Sequence, residues 1–175
     1  MLDKATFITS LKHEVKIITH LAAQLTPAHL DYRPTPGQRS TLELLRYLTI
    51  MGTGTVGYSF SGNWDHWADL EQQGAGVELA SFAKAMARQH KGIVKALASH
   101  TEAKLRRQRV KTFAGIETTL GHGLVEMVLK PFAAYRMQLF LYAKAAGLSQ
   151  LGFTDVWAGR APKPAKKSAK KSAAG

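Results

Sequence analysis

The sequence predicts an all-α chain folded as a four-helix bundle. Three observations carry that expectation. Apolar residues recur at steps of three and four in four long segments, which is the spacing of one helix face. Alternating strand patterns are almost absent. The composition, 45% hydrophobic and 21% charged, is that of a globular domain, and 175 residues suffice for one domain with a real core but not for two with linkers.

The first helix runs from about Asp3 to Leu25, with Phe7, Leu11, Val15, Ile18, Leu21 and Leu25 on its inner face. Thr26-Pro27 offers a cap and a proline at a first helical position, so a short turn is expected there. Arg33-Pro34-Thr35-Pro36-Gly37 is a loop, because two prolines fix φ and remove two amide donors. Ser40 and Glu43 form a capping box that opens the second helix near Thr41. That helix continues toward Phe60 through Gly52, Gly54 and Gly57. Each glycine costs about 1 kcal/mol relative to alanine. A helix built this way either packs closely on a neighbour or ends early.

Gly62–Trp67 is a turn carrying Trp64, His66 and Trp67, and the polar stretch to Gly76 reads as a loop. These aromatics either line a pocket mouth or staple the loop to the bundle. The third helix covers about Glu78–Thr101, with Phe82, Met86, Ile93 and Leu97 inward and Lys84, Arg88, Lys91 and Lys95 as one basic stripe. Lys104–Lys111 holds five basic residues in eight, as the end of helix three or a basic loop. Val110–Phe113 reads as a short extended piece. Thr118 or Thr119 caps a fourth helix to about Ala146, and Gly147 is its C-cap. Residues 148–159 are expected to pack back through Leu151, Phe153 and Trp157.

Cysteine is absent, which excludes disulfides, thiolate catalysis and cysteine-ligated metal. The net charge is +12, and half of that excess lies from Arg160 onward, where six basic residues meet no acid. Residues 1–159 are therefore expected to form the bundle and residues 160–175 a disordered Lys/Ala/Pro tail. Lys163, Lys166, Lys167, Lys170 and Lys171 could contact nucleic-acid phosphates without reading sequence. Six phosphate contacts would give a salt slope of about −5. The alternative is a solubilising tail. The N-terminus lacks a signal-peptide pattern, and Gly123–Leu148, the most apolar stretch, is interrupted by Glu126, Lys130, Arg136 and Lys144. The expectation is a cytoplasmic protein with no membrane partner.

Two segments carry a resemblance. Leu30-Asp31-Tyr32-Arg33-Pro34-Thr35-Pro36-Gly37-Gln38-Arg39-Ser40, followed by Leu42-Glu43-Leu44-Leu45, resembles the first signature of the DinB-like superfamily. Tyr135-Arg136-Met137-Gln138-Leu139, with Tyr142 and Gly147, is similar to a degraded form of its second. The resemblance implies an up-down-down-up four-helix bundle holding one divalent metal, such as Zn or Ni, through three histidines. Three imidazoles suit such metals and leave a position open for water or a thiol. Several members are thiol-S-transferases. In this chain the three ligand positions are Tyr47, Pro131 and Tyr135, so the resemblance implies a filled-in site with no metal and no cofactor. Pro131 is also expected to kink helix four by removing the bond to the Met127 carbonyl.

The seven histidines, His13, His20, His29, His66, His90, His100 and His122, form no His-x-x-x-His pair. His13 and His20 are two turns apart on one helix, about 10 Å along the axis, too far for one metal. Tyr47 and Tyr135, with Glu126, Arg136 and Gln138 nearby, are the candidate pocket for an unknown small molecule or partner; equally, two tyrosines can simply pack the space. Three functions follow: a binding bundle without the metal, a thiol-transferase with substitute ligands, or a nucleic-acid-associated protein anchored by its tail. A homodimer is plausible in each.

Overall fold

The computed structural model describes residues 3–162. The tail lysines Lys163, Lys166, Lys167, Lys170 and Lys171 lie outside the described residues. What is described is mostly helical, as the periodicity predicts.

Helix α1, Lys4–Ala22, starts on an Asp3 cap whose carboxylate accepts from the Thr6 amide at 2.7 Å. Phe7, Leu11, Ile18 and Leu21 are buried as expected, and Ile17 joins them while Val15 is only half-buried. A 3₁₀ turn, Pro27–His29, follows at the Thr26-Pro27 signal. The capping box then opens α2, Thr41–Leu48: the Ser40 amide donates to Glu43 at 2.6 Å, and the Glu43 amide donates to the Ser40 hydroxyl at 3.2 Å. Arg33 ties the preceding loop to this helix start, with Nη2 3.2 Å from the Glu43 carboxylate.

The second helix is not continuous. It breaks at Thr49–Ile50 and restarts as α3, Met51–Ser61. The freed backbone groups find one partner, the buried side chain of Gln89. Its Nε2 donates to the Leu48 carbonyl at 2.8 Å, and its Oε1 accepts from the amides of Gly52 at 2.8 Å and Thr53 at 3.2 Å. Unsatisfied, those three groups would be costly in the interior. The glycines of α3 serve close approach. A Cβ at Gly52 would come within 2.7 Å of the Phe132 ring, and one at Gly54 would collide with the Trp67 ring.

Residues 67–75 correct the sequence reading. The stretch taken as a loop is helix α4, Trp67–Ala75, held where Trp67 seats on Gly54. Helix α5, Leu79–Ala98, buries Phe82, Met86, Ile93 and Leu97 and leaves Lys84, Arg88, Lys91 and Lys95 exposed. The basic segment is a short helix α6, Glu102–Arg107, followed by an antiparallel hairpin. Its strands are β1, Arg109–Lys111, and β2, Glu117–Thr119, with Arg109 opposite Thr119.

The fourth helical segment begins as α7, Leu120–Leu124, on the Thr119 cap. It widens into a π turn over Val125–Leu129 and continues as α8, Lys130–Ala145. The π turn answers the expected kink. Its bonds skip five residues, as from the Lys130 amide to the Val125 carbonyl, so the ladder loosens just before Pro131, whose ring would clash in a regular turn. Gly147 ends the segment at φ +121°.

Helix α9, Phe153–Ala158, returns over α1 and α8. Leu151 is buried as expected, but Phe153 and Trp157 are 76% and 48% exposed, which corrects their assignment as anchors. Val156 and Asp155 face inward instead, and Asp155 meets His20 at 2.8 Å. The α1 helix packs against α5 and α8, and α2 packs against both as well, around one core of Leu11, Leu21, Leu44, Leu48, Met86, Ile93, Phe132 and Leu139. Among the described residues no helix is long and apolar enough to cross a membrane.

Candidate functional site

One cavity of about 730 Å³ opens between α2–α3, α4, α8 and the hairpin tip. Tyr47 and Tyr135 meet in it, with ring centroids 5.0 Å apart at 66°. Pro131 lies one helical turn before Tyr135 and lines the same wall. Met51 and Thr55 follow Tyr47 at steps of four, so the break at Thr49 does not take them off its face.

The helix α4 supplies the opposite wall through Trp67, Ala68 and Glu71. Trp64 precedes it and stands edge-on to Trp67, 5.3 Å away at 89°. Phe113, between the two strands, reaches across to Trp64 at 5.6 Å, and Tyr58 stacks on Trp64 from behind at 4.5 Å. His66 does not line the cavity. It packs on Gly57 and its Nε2 lies 3.1 Å from the Gly54 carbonyl, so Trp64 and Trp67 form the wall while His66 fastens the loop.

Glu126, Arg136 and Gln138 do not line this cavity. Glu126 pairs with Lys130 at 2.6 Å and His122 at 3.1 Å beside the hairpin. Arg136 turns to α1, where Nη1 donates to Glu14 at 3.1 Å. It is one residue past Tyr135, so it is rotated about 100° around the helix. Gln138 donates to the Tyr142 hydroxyl at 2.7 Å. Met51, Thr55, Ala68, Glu71 and Phe113 are the lining residues that sequence reasoning missed. Glu71 was legible only through helix α4: it follows Trp67 by four.

No family model and no curated protein sequence matches the chain. Among solved structures, YjoA, a DinB-like protein of Bacillus subtilis, superposes with a TM-score of 0.61. The match covers 84% of this chain and 95% of that one, at 20% identity. The chain has the DinB-like fold.

The three-histidine centre that the resemblance implies would fall at Tyr47, Pro131 and Tyr135. Proline offers no donor atom. Burial pushes the Tyr47 hydroxyl well above its ordinary value, and Tyr135 beside it pushes the same way, against the pull of Arg39. Tyr47 therefore keeps its proton and is a poor ligand at neutral pH. Among the described residues no three His, Asp or Glu side chains gather closely enough to hold a metal ion. This donor set does not fit a three-imidazole centre.

Proposed function

We propose that this chain is a member of the DinB-like superfamily, an up-down-down-up four-helix bundle that has exchanged the metal site for an aromatic binding cavity. It acts by binding a small molecule there. The observation that carries this reading is the coincidence of place: Tyr47, Pro131 and Tyr135, the three ligand positions implied by the resemblance, all line the same aromatic cavity. A concave, mostly apolar space with a few polar groups at its edge is the usual form of a small-molecule site.

Metal analysis of tag-free protein, after stripping and reconstitution with Zn, Ni and Mn, tests the first half. Well below one metal per chain is expected. About one per chain would retire the reading and direct attention to substitute ligands and thiol transfer. Plugging the cavity tests the second half. Ala68 is exposed and lines the cavity, so Ala68→Trp fills space without touching the core. Small organic probes that bind the native protein should lose that binding in the variant.

A second reading rests on a separate observation. Lys104, Arg106, Arg107, Arg109 and Lys111 are all exposed, and none forms an ion pair among the described residues. Together with the tail lysines they would provide phosphate contacts. Deleting residues 160–175 should then weaken salt-sensitive DNA binding, and replacing Lys104, Arg106, Arg107, Arg109 and Lys111 by glutamine should remove the rest; binding unchanged by both retires this reading.

A further inference from the structure

The walls of the cavity have a chemical sign. Five of its lining residues are aromatic: Tyr47, Trp64, Trp67, Phe113 and Tyr135. Among the described residues, besides the tyrosines, its one ionisable lining side chain is Glu71, and no lysine, arginine or histidine lines it. Glu71 is exposed and makes no ion pair among the described residues.

The rings also have a shape. A flat ligand asks for parallel plates. Here three of the four ring pairs within the lining stand at angles, Trp64 to Trp67 at 89°, Tyr47 to Tyr135 at 66°, and Tyr47 to Trp67 at 56°, while Phe113 lies nearer parallel to Trp64, at 30°. Rings at such angles make the corners of a box, which suits a rounded group. Each ring face carries the negative lobe of its quadrupole and attracts a weakly hydrated cation. Tyr47 is already used this way from outside the lining set, since the Arg39 guanidinium carbon lies 4.0 Å from its ring centre.

We infer that the cavity recognises a quaternary or highly alkylated ammonium group, boxed by Tyr47, Trp64, Trp67, Phe113 and Tyr135, with the Glu71 carboxylate as its counter-charge. This inference rests on the cavity being a binding site and names the ligand class. The Arg39 guanidinium, already 4.0 Å from the Tyr47 ring centre, opposes a second cation on that ring, while the rest of the net charge of +12 acts only where it lies close. Charges farther off than about 8 Å are largely screened at physiological salt. The volume of about 730 Å³ leaves room for the headgroup and a substituent.

The test is calorimetric titration of the full chain with three probes. These are choline, its uncharged carbon isostere 3,3-dimethylbutan-1-ol, and the anionic dye 1-anilinonaphthalene-8-sulfonate. Choline is expected to bind at least about fivefold tighter than the isostere, the margin expected of cation–π contacts. Glu71→Gln, at an exposed position, should erase most of that margin while far-UV dichroism stays unchanged. Trp64→Leu and Phe113→Leu, both partly exposed, should weaken choline more than the isostere. Equal affinity for choline and the isostere, or preference for the anionic dye, overturns the ammonium assignment and leaves the cavity reading standing. Choline preference that survives all three variants overturns it too, because the cation would then sit elsewhere. If none of the probes binds, both the inference and the cavity reading fall.

Discussion

At the junction of α1, α8 and α9, Arg136 lies 4.6 Å from the Trp157 ring centre and donates to Glu14. At the cavity, Arg39 lies 4.0 Å from the Tyr47 ring centre, and Tyr47 meets Tyr135. Both regions set a guanidinium, an aromatic ring and a buried polar group together, and they end differently. The junction is closed by specific bonds: His20 to Asp155 at 2.8 Å, Lys16 to the Ala158 carbonyl at 2.9 Å, and His13 to the Trp157 carbonyl at 3.1 Å. The cavity has rings at angles and space between them. Similar components make a clasp where polar groups are paired across helices, and a receptacle where aromatic rings line an open space.

The sharpest way to break the clasp is Arg136→Ala. Burial already raises the Glu14 carboxyl, against the lowering pull of Arg136, so the pair is poorly solvated. Removing the arginine leaves a buried acid alone and should cost about 3 kcal/mol in urea unfolding. The double change Glu14→Gln with Arg136→Met should cost less than that single one, because no charge is then stranded.

On the cavity side the largest effect should come from Gly54→Val, which sets a side chain where Trp67 seats. A loss of about 2 kcal/mol is expected from overpacking, together with loss of choline binding. A variant that keeps both stability and binding would show that Trp67 does not set the cavity wall.

A smaller effect separates the regions by pH. Burial pushes the Asp155 carboxyl up, but hydrogen bonds from His20 and the Gly152 amide outweigh it and hold the group below its ordinary value. A depressed acid contributes stability above the unfolded pKa and loses it as pH falls through the folded one. The native chain should therefore lose this contribution below about pH 4. Asp155→Asn should be about 1 kcal/mol less stable at neutral pH and should not show that loss. The smallest stability change belongs to Phe113→Ser: within about 0.5 kcal/mol in melting, because the ring is half-exposed, yet with clear loss of choline binding.

What was legible in the sequence was what local chemistry decides. The Ser40–Glu43 box, the Thr119 cap and Gly147 each act within a few residues, and each stands where the pattern put it. The features missed depend on distant partners. The break at Thr49–Ile50 is sustained by Gln89, from a different helix. Helix α4 looks like a loop because Gly74, Gly76 and a run of polar residues weaken its signal, while its anchor is Trp67 on Gly54 of another helix. Phe153 and Trp157 were read as anchors by hydrophobicity. Asp155 takes the inward place because His20 is there to meet it. At the site, the positions 47, 131 and 135 could be named, but most of their surroundings could not, since half of the lining comes from Trp64, α4 and the hairpin tip.

Gln89 has a role beyond satisfying three backbone groups. Tyr47 stands on one side of the break it bridges, and Thr55 stands on the other. One carboxamide thus works like a splice plate, holding the two helical pieces of one cavity wall in line although Gln89 does not line that cavity. The splice sits outside the cavity, so a change at residue 89 would disturb the wall that carries Tyr47, Met51 and Thr55 without altering any lining side chain.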